Sequence, residues 1–164
     1  NVSSEEDHGT TVSIDVPLRK CTENSSAASQ PQDKSDTSNK VILIVEDNPV
    51  NQLVERKFCE KYGLNVITAA NGEEAIVALD NNQIDIVLMD CQMPIMDGFE
   101  ATKIIRQSRE EIRKVPIIAV TANSTTLDRT LCEEAGMDDY TPKPIDFDEL
   151  TLKLNHWLTK HPNQ

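Results

Sequence analysis

The chain has 164 residues, of which 38% are hydrophobic, so it is long enough for one domain with a buried core plus additional segments. Its 28 acidic residues outnumber its 16 lysines and arginines, and a formal charge of -12 would repel a phosphate backbone, which argues against direct nucleic-acid binding. The apolar runs are too short to span a bilayer, and the four scattered cysteines fit neither a zinc motif nor a disulfide framework. We therefore expect a soluble, cytoplasmic chain with reduced thiols and no direct membrane contact.

The first 39 residues combine one strand pattern with a polar segment. Val12, Ile14 and Val16 alternate within Gly9–Leu18, which predicts a single strand without a partner. Residues 19–39 are polar with almost no apolar content. Such a composition predicts a flexible linker, because it cannot bury enough surface to offset the entropy of ordering.

From residue 40 onward, short apolar runs alternate five times with amphipathic stretches. The runs are continuously apolar, which indicates strands buried on both faces and hence a doubly wound parallel sheet, an α/β fold. The predicted strands are Val41–Val45, Leu64–Ala69, Ile84–Met89, Val115–Val120 and Asp139–Thr141. The predicted helices are Pro49–Tyr62, Glu73–Leu79, Phe99–Gln107, Thr125–Ala135 and Phe147–Leu158.

Capping residues mark several of these helix ends. Asn48 before Pro49 predicts an N-cap with a preset first turn, and Gly63 suits a left-handed C-terminal stop. Asp97, three residues before a glutamate, is interpreted as a helix cap rather than a metal ligand. Gly136 is predicted to end the fourth helix.

Polar groups lie at the carboxyl ends of four of the predicted strands. Glu46 and Asp47 directly follow the first, Asp90 the third and Thr121 the fourth, and Lys143 lies two residues after the fifth. Taken singly, each has a structural explanation: a helix-dipole pair, a turn residue, a strand hydroxyl and a surface charge. Because the carboxyl ends of parallel strands meet at one crevice, their conjunction predicts a functional site.

The chemistry of this set favours phosphoryl transfer onto a carboxylate. Clustered carboxylates are costly without a cation, and oxygen-only ligands suit Mg²⁺ better than zinc. Asp90 would act as the nucleophile and form an acyl phosphate, with Mg²⁺ and Lys143 neutralising the developing charge. The Thr121 hydroxyl and the backbone N–H of Ala122 would bind phosphoryl oxygens.

Four motifs in this order resemble those of the two-component receiver (response-regulator) domain. The resemblance covers about residues 40–160 and implies the flavodoxin-like (βα)5 fold with strand order 2-1-3-4-5. The motifs are Glu46-Asp47-Asn48-Pro49-Val50-Asn51, Leu88-Met89-Asp90-Cys91-Gln92-Met93-Pro94-Ile95-Met96-Asp97-Gly98, Val120-Thr121-Ala122 and Lys143-Pro144-Ile145.

The resemblance implies that Asp90 is the phosphoacceptor and that Mg²⁺ is bound by Glu46, Asp47, Asp90 and the backbone carbonyl of Gln92. Where many family members carry two aspartates, this chain has a glutamate first, so direct or water-mediated coordination by Glu46 stays open. Direct coordination by Asp47 is expected. Gln92 and Asn123 would flank the path of the water that hydrolyses the acyl phosphate.

The same resemblance assigns the switch residues. Thr121 would be the switch hydroxyl, Lys143 the cation that contacts the phosphoryl group, and Tyr140 the aromatic residue that changes rotamer on phosphorylation. The Lys143–Pro144 peptide bond is expected to be cis.

A shorter resemblance concerns the context of the domain. Gly9–Leu18 resembles the last strand of the ATP-binding domain of sensor histidine kinases. It implies a hybrid histidine kinase, with a kinase remnant at residues 1–18, a linker at 19–39, the receiver at 40–160 and a tail at 161–164. His8, His156 and His161 form no phosphotransfer module, so the donor phosphohistidine would lie on a kinase dimerisation domain or a histidine phosphotransfer protein. A homodimer, and a membrane anchor elsewhere in the parent kinase, are left open.

Other functions are compatible with parts of the pattern. The receiver could be a stand-alone response regulator without a DNA-binding output domain. An Asp-nucleophile phosphatase would need a second aspartate two residues after Asp90, where this chain has Gln92. A third class is an interaction module that uses the fold without phosphorylation. As a receiver, the chain would catalyse its own phosphotransfer and autodephosphorylation, whereas the kinase activity would belong to the parent protein.

Overall fold

The structure, a computed structural model, describes residues 2–5, 9–12, 39–122 and 126–160; side chains are described only in 39–122 and 129–160. The chain divides into two compact units, residues 1–32 and 33–164. In the first unit, β1 (Val2–Glu5) pairs with β2 (Gly9–Val12) in the antiparallel direction. The prediction that this strand has no partner was therefore wrong, because β2 pairs with β1. The remainder of that pattern, at residues 13–18, and the predicted linker up to residue 38 lie outside the described residues.

Five parallel strands form the sheet of the second unit in the order β4-β3-β5-β6-β7. Counted from the first strand of this sheet, the order is 2-1-3-4-5, which confirms the predicted topology. Each predicted strand is present, with its ends displaced by at most two residues. The strands are β3 (Val41–Val45), β4 (Asn65–Ala69), β5 (Ile86–Asp90), β6 (Ile117–Thr121) and β7 (Asp139–Pro142).

Within residues 39–122 and 126–160, six helices connect and cover these strands. The five predicted helices are present, and a sixth of four residues was not predicted because one turn is too short to show a helical period. The predicted start of the fourth helix, Thr125, lies outside the described residues. The helices are α1 (Pro49–Tyr62), α2 (Gly72–Asn81), α3 (Gly98–Arg106), α4 (Glu110–Arg113), α5 (Thr126–Ala135) and α6 (Phe147–Lys160).

The predicted caps have the expected geometry. Asn48 Oδ1 accepts the Val50 N–H at 2.9 Å, and Gly63 ends α1 with φ 102°, in the left-handed region that favours glycine. Asp97 Oδ1 accepts the Glu100 N–H at 2.8 Å, which confirms its interpretation as a helix cap. Gly136 follows α5 with φ 91°.

Two apolar clusters, one on each face of the sheet, make the core. Alternate residues of a strand enter opposite clusters, so that Leu43 and Val45 of β3 lie in one, and Ile42 and Ile44 in the other. The first cluster includes residues of α2, α3, α4 and α5, whereas the second includes residues of α1 and α6. Both faces of the sheet are therefore covered, as the continuously apolar strand sequences predicted.

Arg106, at the end of α3, makes hydrogen bonds to the end of α4, to the segment before β6 and to the turn before β7. Its guanidinium donates to the carbonyls of Gly136 (2.7 Å), Arg113 (2.8 Å) and Val115 (2.9 Å) and pairs with Asp138 at 2.6 Å. Arg113 ends α4, Gly136 follows α5, and Val115 and Asp138 lie just before β6 and β7. The network therefore stabilises the amino-terminal ends of these strands, opposite the carboxyl ends that form the candidate site.

None of the helices in residues 39–122 and 126–160 is both long enough and apolar enough to cross a bilayer.

Candidate functional site

Three carboxylates meet at the carboxyl ends of two neighbouring strands. Glu46 and Asp47 follow β3, and Asp90 is the last residue of β5, which pairs directly with β3. One oxygen from each of the three carboxylates can be chosen so that all lie within 4.8 Å of one another. Glu46 and Asp90 are 1% and 5% exposed, whereas Asp47 is exposed to solvent. Two negative groups are thus held in a buried position beside a third that faces water.

Lys143 reaches this cluster from the loop after β7. Its Nζ lies 2.7 Å from Glu46 Oε2 and 2.6 Å from Asp90 Oδ2, so one ammonium bridges the two buried carboxylates. Its backbone N–H donates to the Thr121 carbonyl at 2.7 Å, which anchors the loop to the end of β6. The Lys143–Pro144 peptide bond is cis, as expected.

The electrostatics of the cluster favour the binding of a cation. Burial raises the pKa of Asp90, although the hydrogen bonds from Lys143 and from the Gln92 backbone oppose this shift. Burial lowers the pKa of Lys143, but its hydrogen bonds to Asp90 and Glu46 outweigh that effect and leave the pKa raised. With all three carboxylates ionised, one ammonium leaves two uncompensated negative charges, which a divalent cation would neutralise.

The chemistry of the donor set agrees with Mg²⁺. All three side chains offer carboxylate oxygens, and such oxygen-only sets suit Mg²⁺ better than a transition metal. The Gln92 backbone N–H donates to Asp90 Oδ1 at 3.1 Å, so Gln92 lies directly beside the acidic cluster. Its carbonyl as a metal ligand, and the division of roles between Glu46 and Asp47, stay predictions.

The remaining predicted residues lie on the two adjacent strands. Thr121 ends β6 and is buried, and Ala122 follows it with an exposed side chain. Tyr140 lies on β7 opposite Ala119 and is half-buried, with the Lys153 ammonium 5.1 Å from its ring centroid. Asn123, predicted to flank the path of the hydrolytic water, lies outside the described residues.

Gly98 has a steric role at this site that the sequence did not reveal. A Cβ at this position would lie 2.2 Å from the Asp90 carbonyl oxygen, a distance that no side chain tolerates. The Gly98 N–H also donates to the Cys91 carbonyl at 3.2 Å. The first residue of α3 is therefore packed against the backbone of the end of β5, and glycine is required for that approach.

Three further side chains near the site were missed by sequence reasoning. Asn51 and Gln52 belong to the first motif, but no role was predicted for their amides, which contact Glu46. Glu55 of α1 is only 4% exposed, and burial, together with the charge of Glu46, raises its pKa to about 8. The signal for Glu55 was an acid placed one helical turn before Cys59, on the apolar face of α1.

Comparison with known families identifies the second unit. The model of the response regulator receiver domain matches residues 42–155. Among curated proteins, a hybrid signal transduction protein of Dictyostelium discoideum is 42% identical over 76% of this chain, and a sensor histidine kinase of Pseudomonas protegens is 35% identical over 80%. The chain covers only 7% and 14% of the lengths of these two relatives.

Two solved structures add information about ligands and partners of similar domains. The receiver domain of a sensor histidine kinase from Pseudomonas aeruginosa, with Mg²⁺ in its active-site cleft, is 43% identical with a TM-score of 0.69, covering 74% of this chain and 98% of that one. The receiver domain of a Saccharomyces cerevisiae response regulator, crystallised with a histidine phosphotransfer protein, is 30% identical with a TM-score of 0.70. This alignment covers 76% of the chain and 92% of the receiver.

Proposed function

Because the chain belongs to the response regulator receiver domain family of two-component signalling, we propose that it accepts a phosphoryl group from a phosphohistidine onto Asp90 in a Mg²⁺-dependent reaction. One observation carries this proposal: Asp90 lies in a cluster of three carboxylates and is hydrogen-bonded to a lysine ammonium. That arrangement supplies a nucleophile, a place for a divalent cation and a compensating positive charge in one crevice.

In the proposed reaction, the N–P bond of the donor breaks and its electron pair returns to the imidazole nitrogen. A carboxylate oxygen of Asp90 forms the new O–P bond, and no general base is required because the nucleophile is ionised. Asp47, Asp90, Glu46 and the Gln92 carbonyl would hold Mg²⁺. When bound, the cation would neutralise negative charge on the transferred group. Lys143, already 2.6 Å from Asp90, would contact a phosphoryl oxygen from the side of β7.

The switch would use the ends of the two following strands. A phosphoryl group on Asp90 adds negative charge beside the end of β6, where the Thr121 hydroxyl and the Ala122 backbone N–H would bind it. Tyr140, half-buried on the neighbouring strand, would change rotamer as Thr121 moves toward the phosphoryl group. The two states would then differ on the surface formed by β7 and its flanking helices, where a partner reads them.

The donor would dock beside α1, on which an apolar stripe is exposed. Val50, Leu53 and Val54 are 68%, 54% and 49% exposed, and their spacing places them on one face of the helix that begins next to the acidic pair. A donor histidine must approach Asp90 closely, so its protein covers the surface that surrounds the crevice. The complex of a similar receiver with a histidine phosphotransfer protein supports a donor of that class.

The hybrid-kinase context is part of the proposal. Relatives that carry similar domains include a hybrid signal transduction histidine kinase and a sensor histidine kinase, each several times longer than this chain. We infer that residues 1–18 are the end of a kinase domain, residues 19–39 a linker, residues 40–160 the receiver and residues 161–164 a tail. Kinase activity would reside in the parent protein, whereas this chain would catalyse its own phosphorylation and dephosphorylation.

The test is incubation with a small acyl-phosphate donor and Mg²⁺, followed by intact-mass measurement. Wild type should gain one phosphoryl group, and Asp90→Asn should gain none. Asp97→Asn is the matched control, because Asp97 caps α3 in the same loop and should leave phosphorylation intact. Equal phosphorylation of wild type and Asp90→Asn would refute the assignment, and no phosphorylation of wild type would favour an interaction module.

A further inference from the structure

The carboxylate of Glu46 is held by three donors from two directions. Its Oε1 accepts the Asn48 backbone N–H at 3.1 Å and the Asn51 side-chain amide at 3.2 Å. Its Oε2 accepts the Lys143 ammonium at 2.7 Å. The two oxygens therefore have different partners, and the orientation of the carboxylate decides which oxygen faces Lys143.

The backbone of Glu46 is fixed independently. The Gln52 side-chain amide donates to the carbonyls of Glu46 (3.1 Å) and Ala69 (3.2 Å), and the Glu46 N–H donates to the Ala69 carbonyl at 3.1 Å. These bonds join the ends of β3 and β4 to the first turn of α1. With the main chain fixed, the side-chain torsions of Glu46 are the remaining freedom, and the Asn51 amide restricts them.

We propose that Asn51 is a positioning residue for phosphoryl transfer: its amide orients Glu46 so that Glu46 holds the Lys143 ammonium beside Asp90. This inference rests on the proposed function of Asp90. When a phosphoryl group arrives, Lys143 exchanges its contact with Asp90 Oδ2 for one with a phosphoryl oxygen, and Glu46 remains as its anchor. A lysine without that anchor samples many rotamers and presents its charge less often to the reacting group.

The experiment compares Asn51→Ala and Asn51→Asp with wild type in the full chain. Asn51→Ala removes the donor without adding charge, whereas Asn51→Asp is nearly isosteric but replaces the donor with an ionised acceptor that repels Glu46. Asn65→Asp makes the same charge change at the exposed start of β4, at the end of the strands opposite the site, and serves as the control. Phosphorylation by a small acyl phosphate is timed by intact mass over a range of Mg²⁺ concentrations, and Mg²⁺ binding is measured by calorimetry.

Both Asn51 variants should be phosphorylated about tenfold more slowly at saturating Mg²⁺, the loss typical of one hydrogen bond to a charged group. Mg²⁺ should bind Asn51→Ala with an affinity near that of wild type and bind Asn51→Asp at least as tightly, since the added charge attracts the cation. Slower transfer combined with undiminished metal binding is a signature that general loss of structure does not produce.

The inference is overturned if Asn51→Ala reacts at the wild-type rate, or if its defect disappears once Mg²⁺ is saturating. An equal slowing of Asn65→Asp would also overturn it, because the effect would then follow net charge. A wild-type chain that takes up no phosphoryl group refutes the proposed function itself, and this inference with it. The two failures are therefore distinguishable in one data set.

Discussion

Glu55 gives the sharpest test of the energetics of this fold. It lies on the buried face of α1, one helical turn before the fully buried Cys59, and none of the hydrogen bonds or ion pairs described for residues 39–122 and 129–160 involves its carboxyl group. An unpaired carboxylate in that position is costly, so the folded state favours the protonated acid. The informative perturbation is Glu55→Gln, which keeps the shape and removes the titration.

The expected magnitude follows from the pKa. Burial, aided by the negative charge of Glu46, raises the pKa of Glu55 from 4.5 to about 8. Between those values the folded state keeps a proton that the unfolded chain releases, so the free energy of unfolding falls as pH rises from about 4.5 to about 8 and is level above that. At 1.36 kcal/mol per pKa unit, the contribution of Glu55 to the free energy of unfolding should fall by about 4 kcal/mol between about pH 5 and about pH 9.

The assay is urea unfolding at several pH values in a metal-free buffer with a chelator. The amide introduced by Glu55→Gln does not titrate. The free energy of unfolding of the variant minus that of wild type should therefore rise by about 4 kcal/mol over that pH range. A constant cost of burying the amide would shift this difference equally at every pH. Glu73→Gln, at an exposed position on α2, should run parallel to wild type. If the curves of Glu55→Gln and wild type also ran parallel, the carboxyl group would not be a buried neutral acid and the reasoning would fail.

Three other substitutions separate docking, packing and network effects. Leu53→Asp on the exposed α1 stripe should slow phosphotransfer from a histidine phosphotransfer protein at least tenfold but leave the reaction with a small acyl phosphate unchanged. Equal effects on both reactions would exclude a docking role for this stripe. Gly98→Ala should lower the free energy of unfolding by about 2 kcal/mol or more and slow phosphorylation, since its Cβ would lie 2.2 Å from the Asp90 carbonyl oxygen. A denaturation midpoint of this variant equal to that of wild type would contradict the packing argument. Arg106→Lys should lower the free energy of unfolding in urea by about 2 kcal/mol, because lysine cannot make the four hydrogen bonds of the guanidinium. The control Arg109→Lys changes an exposed ion pair and should lower it by less than about 0.5 kcal/mol.

Local features of the chain were sufficient to predict most of the fold. The span of α1 agrees at both ends because Asn48-Pro49 and Gly63 determine where a helix can begin and stop without distant contacts. Several strand ends differ from the prediction by one or two residues, since pairing with a neighbouring strand decides where a strand terminates. The four residues of α4 carry too little periodic signal to be predicted.

Sequence alone determined that five buried strands would alternate with amphipathic helices and that polar groups would follow the strand ends, because periodicity and capping act between residues close in the chain. Only the tertiary structure decided that Lys143 bridges Glu46 and Asp90, 97 and 53 residues away. It also decided that Glu55 is buried as an acid. Those contacts depend on strand order and on how α1 packs against the sheet, and a residue's own neighbours in the chain do not encode either.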